Sequence, residues 1–172
     1  MFVRASLIAA ALLAPSFAFA QAAKPTDPQI AHIAYTAGRI DIDSAKLALE
    51  KSHNKKVRAF AQEMERDHKA VNDKALALVK KLNVTPEDNA TSQSLAAAAD
   101  AKHKELAGLS GAAFDKAYVD NEVAYHKTVN GALQDTLIPD AGNPELKSLL
   151  QTGLKLFQSH QAHAEMLDGE LK

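Results

Sequence analysis

From residue 28 onward, apolar residues recur at three- and four-residue spacings in four long runs. The first is Ile30, Ile33, Ala37, Ile40, Ser44 and Leu47, and the second is Val57, Phe60, Met64, His68, Val71, Ala75, Leu78 and Leu82. The third reads Tyr118, Glu122, His126, Val129, Leu133 and Leu137, and the fourth Leu146, Leu149, Gly153, Phe157, His160, Ala164, Leu167 and Leu171. Residues at these intervals share one face of an α-helix. The pattern predicts helices over 28–51, 55–82, 111–138 and 144–170, with a shorter Ala-rich helix over 87–107 between the second and third. No alternating strand pattern, internal repeat or low-complexity tract competes with it.

The punctuation agrees. Asp27-Pro28 and Asn143-Pro144-Glu145 look like a capping residue followed by proline at the first helical position, and Thr85-Pro86-Glu87-Asp88 and Ser110-Gly111 make similar start signals. Ser52-His53-Asn54 interrupts the first long run with capping residues. Helices of about 24 to 28 residues extend roughly 36 to 42 Å, so they match well enough to pack side by side. Short first and third turns make antiparallel neighbours, while a connector of about 28 residues after the second helix is long enough to cross the bundle. The expectation is an all-α chain: a ferritin-like four-helix bundle over residues 28–171, with a short extra helix in the long crossover between helices two and three and a short linker over 21–27.

The first residues do not fit this pattern. One basic residue, Arg4, precedes a largely apolar stretch from Ala5 to Phe17, and Ala18-Phe19-Ala20 ends it with small-x-small. That is a secretory signal peptide, residues 1–20, with cleavage expected after Ala20 and export to the periplasm. No later segment approaches the roughly 20 apolar residues that a membrane span needs, so no transmembrane segment is expected. Losing Arg4 moves the formal charge from −1 to −2, which leaves no basic field for nucleic acid. The chain has no Cys, so neither disulfides nor thiolate ligands contribute.

The chemistry lies in polar residues inside the stripes. His68, His126 and His160 occupy positions that an apolar core would fill with hydrophobes, and Asp41 and Glu122 lie on or beside the stripes of helices one and three. Counted from the first turn, Asp41 is about 20 Å up helix one and His68 about 21 Å up helix two; counted from the second, His126 is about 18 Å and His160 about 24 Å along. All four reach mid-bundle. Burying such groups separately costs several kcal/mol each unless they are paired or ligated. A metal ion resolves the cost for all of them, and imidazole with carboxylate suits one Zn, Cu, Fe or Mn ion. Asp67 points about 100° away from His68 and is placed to orient an imidazole from another helix, and His163 is a spare ligand.

Blander readings stand beside this one. Glu122 and His126, four residues apart, also suit a local hydrogen-bonded pair. His32, His53 and His103 read as surface or turn residues, and Tyr118 and Tyr125 as packing aromatics.

The segments Lys46–Glu50, Val57–Met64, Arg66-Asp67-His68, Leu109–Asp115 and Tyr118–His126 resemble the exported bacterial family known as domain of unknown function 4142. The resemblance covers nearly all of the chain beyond the signal. It implies a ferritin-like bundle, no assigned activity, and a mapping of the family's Asp-His pair onto Asp67 and His68, its third-helix His onto His126 and its last-helix His onto His160. A di-iron centre needs Glu-x-x-His on two helices. Glu65 and His68 have that spacing, but helix four offers His160-Gln161-Ala162-His163 instead. The reading is therefore an exported protein that buffers, carries or senses a transition metal through Asp41, His68, Glu122, His126 and His160. The alternative is a non-catalytic envelope stress or interaction protein with a buried polar His network. Haem is disfavoured without Cys-x-x-Cys-His, and no nucleotide-binding loop or nucleophile triad points to an enzyme.

Overall fold

The structure is a computed structural model that describes residues 24–171; the signal segment lies outside them. The elements are α1 (Asp27–Lys51), α2 (Lys55–Lys81), α3 (Ala90–Ala107), α4 (Gly111–Ala132), a π-helical turn (Leu133–Leu137), the short α5 (Ile138–Asp140) and α6 (Pro144–Glu170). No strand occurs among the described residues.

Capping residues set most boundaries, with some departures from the expected positions. Asn54 accepts from the Lys56 and Val57 amides, and Asn143 from those of Glu145 and Leu146. At α1 the cap is Thr26, in a capping box with Gln29. Asp27, expected to cap, instead accepts from the Gly142 and Asn143 amides, each at 2.8 Å, and so fastens the turn before α6 to the start of α1. α3 begins after Asn89 rather than near residue 87, because Asn89 accepts from the Thr91 and Ser92 amides.

The third long helix is also not α-helical to residue 138. Pro139 has no N–H and crowds the carbonyl four residues back, that of Asp135. The preceding turn widens, and the Ile138 amide donates to the Leu133 carbonyl, five residues back.

α1 and α2 run antiparallel across a short turn, as do α4 and α6. Lys51 donates to the Ala107 carbonyl and Asn89 to that of Gln29, so α3 crosses the bundle alongside α1 and in the same direction. α4 then returns antiparallel to α1, with Tyr125 donating to the Ala37 carbonyl at 2.9 Å. α6 runs antiparallel to α2, tied by Lys81–Glu145 at one end and Lys56–Glu170 at the other. The order is up, down, crossover, down, up.

Two apolar clusters result. Ala48, Val57, Phe60, Met64, Phe114, Tyr118 and Leu167 form one, at the Lys51 end. Ile30, Ile33, Leu133, Leu137, Leu146, Leu150 and Phe157 form the other, at the Asp27 end. Each large side chain fully buried in these layers contributes roughly 1.5–3 kcal/mol. In α6 the buried residue is Leu150 and not Leu149, because alternating four- and three-residue steps from Leu146 hold the face toward the core. Ala45 likewise takes the place expected of Ser44 in α1. The polar layer lies between the two clusters.

Candidate metal centre

Asp41, His68, Glu122, His126 and His160, one or two from each long helix, are all at most 3% exposed and meet in that layer. The rings of the three histidines form a nearly equilateral triangle, with centroids 5.6 Å apart for His68–His126, 5.3 Å for His68–His160 and 5.6 Å for His126–His160. Asp41 Oδ2 lies 3.4 Å from His68 Nε2 and 3.5 Å from His126 Nε2. Glu122 Oε2 is 3.7 Å from His126 Nδ1. His68, His126 and His160 can each offer a ligand atom within 4.8 Å of the others, and so can Asp41, Glu122 and His126. The site residues expected from the sequence are therefore brought together.

The surrounding groups fix the ring nitrogens. His126 Nδ1 is 3.0 Å from the Glu122 backbone carbonyl, which can only accept, so Nδ1 carries the proton and Nε2 a lone pair. His160 Nε2 is 3.1 Å from Asp67 Oδ2. The Arg66 guanidinium, 2.7 Å from Asp67 Oδ1, holds this carboxyl below the usual range, so it accepts from Nε2–H and leaves the lone pair on Nδ1. His126 Nε2 and His160 Nδ1, together with both nitrogens of His68, have no hydrogen-bond partner. Phe157 stacks on His68 with centroids 4.5 Å apart and planes inclined by 4°, which sets the ring's orientation.

Electrostatics favour the neutral form of each core group. Burial pushes His68 well below its ordinary value, helped by His126 and His160, and brings His126 down to about 4 against the pull of the Glu122 carbonyl. His160 is also lowered by burial, against the pull of Asp67. Burial raises Asp41 to about 8, opposed by the neighbouring Glu122 carboxyl, and raises Glu122 with the help of the nearby Asp41. The Asp41–histidine contacts therefore join groups in which burial favours the uncharged forms.

The donor set and spacing suit a metal ion. A tetrahedral ion with bonds of about 2.1 Å has ligand atoms roughly 3.4 Å apart, and histidine ring centres roughly 5.2 Å apart. The contacts of 3.4 and 3.5 Å and the centroid distances of 5.3–5.6 Å lie close to both values. These buried histidine and carboxylate groups could hold a metal ion.

His163 does not join this layer. It pairs with Glu63 at 2.7 Å on the outer side of α2 and α6, where half-buried Glu63 and Asp67 form a second group with the buried His160. The sequence reading missed the Glu63–His163 pair, although Glu63 and Asp67 share the helix face that meets α6. His32 is half-buried and His53 and His103 are exposed, away from the layer.

The sequence profile of the family described as "Domain of unknown function (DUF4142)" matches residues 12–167. The chain belongs to this family. Among solved structures, a DUF305 protein of Streptomyces coelicolor has a TM-score of 0.73 at 12% identity, over 86% of this chain and 94% of that one. A DUF305 fragment from Deinococcus radiodurans has a TM-score of 0.70 at 14% identity, over 86% and 99%. At these identities the likeness establishes the helical-bundle fold alone. No protein of curated function matches this member of DUF4142. No helix among its described residues is long and apolar enough to cross a membrane.

Proposed function

We propose that this protein is an exported metal-binding protein, holding one transition-metal ion in the mid-bundle layer to buffer, carry or sense it. His126 Nε2, His160 Nδ1 and one nitrogen of His68 are the nitrogen ligands, Asp41 is the fourth ligand, and Glu122 stands beside Asp41 and His126. One observation carries the reading: the Glu122 carbonyl and the Asp67 carboxylate occupy one nitrogen each of His126 and His160, and the two nitrogens left over are buried without partners beside His68. A histidine that ligates a metal characteristically donates its other N–H to a carbonyl or carboxylate in this way. Near-tetrahedral spacing and an all-N/O donor set favour Zn(II), with Cu(II), Fe and Mn as competitors. Export rests on the Arg4–Ala20 signal pattern and accords with the Streptomyces relative being described as a candidate secreted protein.

The test is to dialyse the purified protein against each ion, measure bound metal, and record melting temperatures with and without chelator. One ion per chain and a raised melting temperature are expected, both lost in the His68→Ala/His126→Ala/His160→Ala triple variant. Absence of bound metal, or unchanged binding by the triple variant, overturns the proposal.

A second reading has its own support in the contacts of His126 Nδ1 with the Glu122 carbonyl and of His160 Nε2 with Asp67, which pair part of the layer without a metal. On this reading the layer is a polar network that gives the bundle a unique packing, and the protein acts through its surface. It requires wild-type melting to be insensitive to metal and chelator.

A further inference from the structure

The bundle is packed unevenly on the two sides of the histidine layer. Toward Lys51, Phe60, Met64, Phe114 and Tyr118 are fully buried. Toward Asp27 the inward positions carry small residues, including Ala34, Ala37 and Gly38 on α1, Ala75 on α2 and Gly153 on α6, and a cavity of about 980 Å³ opens between the helices. It lies within the range of small-molecule sites, at the upper end. Its lining runs from Gln29 to Gly38 on α1 and from His68 to Val79 on α2, which makes it about 14–17 Å long at the helical rise. The π-helical turn contributes Leu133, Thr136 and Leu137 to one wall, and such turns recur at functional sites.

Charge and hydrogen bonding narrow the occupant. The only Asp, Glu, Lys or Arg among the described lining residues are Lys24 and Asp140, and they neutralise one another at 2.9 Å. Ile33, Val71, Leu133 and Leu150 make the middle hydrocarbon-like. At the deep end stands His68, 3% exposed, with neither ring nitrogen hydrogen-bonded. His126 lines the same end.

We infer that this cavity binds an uncharged aliphatic molecule about 15 Å long. The hydrocarbon body lies along Ile33, Val71, Leu133 and Leu150. A charged head group is excluded because no unpaired charge lines the cavity to receive it. The site does not depend on the metal reading, since it is formed by the fold itself.

The test uses the purified full-length protein with chelator present, so failure of metal binding does not affect the outcome. The neutral probe N-phenyl-1-naphthylamine is titrated in, then displaced with decan-1-ol, decanal, decane, decanoate or decyltrimethylammonium. Bound-probe fluorescence is expected, displaced by decan-1-ol, decanal or decane about tenfold or more tightly than by either ion. Ala34→Phe and Val71→Phe, which fill the cavity from two helices, are expected to abolish the signal while keeping wild-type helicity. Absence of a probe signal, an undiminished signal in whichever filled variant folds, or displacement by decanoate equal to that by decan-1-ol overturns the inference.

Discussion

His160 and Asp67 face one another between α6 and α2, with Nε2 3.1 Å from Oδ2, and this contact makes Nδ1 the ring nitrogen that turns to the core without a partner. Asp67→Asn keeps the size but allows the amide to present N–H to Nε2, which favours the wrong tautomer. Metal affinity should fall about 10- to 100-fold with helicity unchanged, as measured by chelator competition. An affinity equal to wild type would mean that Asp67 does not orient the ligand.

Asp41 sets binding against stability. Its carboxyl is buried and raised to about 8, so ionising it in the metal-free fold is costly. Asp41→Asn should stabilise the metal-free protein above pH 8 by about 1–3 kcal/mol and weaken metal binding by at least about tenfold. Paired melts with chelator and with metal check both signs. A variant less stable than wild type without metal at pH 9 contradicts this assignment.

The layer also gives the metal-free protein a defined pH response. His126 is lowered to about 4, so its contribution is present above the unfolded value near 6.5 and lost as pH falls from there toward 4. Asp41, raised from 3.8 to about 8, acts in reverse: its contribution is present below its unfolded value and lost as pH rises through 8. The two oppose one another between about pH 4 and 6.5; above that only the carboxyls act, and Glu122 is shifted in the same direction as Asp41. Melting temperature with chelator should therefore fall from pH 6.5 to 8. With metal bound it should hold or rise, because binding displaces those protons. Parallel curves in the two conditions would contradict this.

Much of this was legible in the sequence because helical rise is constant. Counting from the turns put Asp41 and His68 at matching depth, and they lie 3.4 Å apart. What counting misses is rotation about each helix axis and the identity of nearby acceptors. Which nitrogen of His160 is free depends on how α2 and α6 are turned, and the Asp27-Pro28 signal concealed that Thr26 is the cap. The cavity was the larger omission. Ala37, Ala75 and Gly153 sit in the stripes and read as packing positions, and only the assembled helices reveal that they line one cavity.

Asp27 yields a purely structural prediction. It accepts two amide hydrogen bonds from the turn before α6, both 2.8 Å long. Asp27→Ala should cost about 2 kcal/mol in chemical denaturation without changing metal stoichiometry. A cost under about 0.5 kcal/mol would show that the turn is held by other contacts.

Anomalous diffraction from crystals grown with Zn(II), measured on both sides of the zinc absorption edge, locates the bound ion. One strong peak is expected about 2.1 Å from His126 Nε2 and His160 Nδ1, with His68 and Asp41 completing the coordination. A map with no peak among these residues, or with zinc only at the outer Glu63–His163 pair, would contradict this coordination.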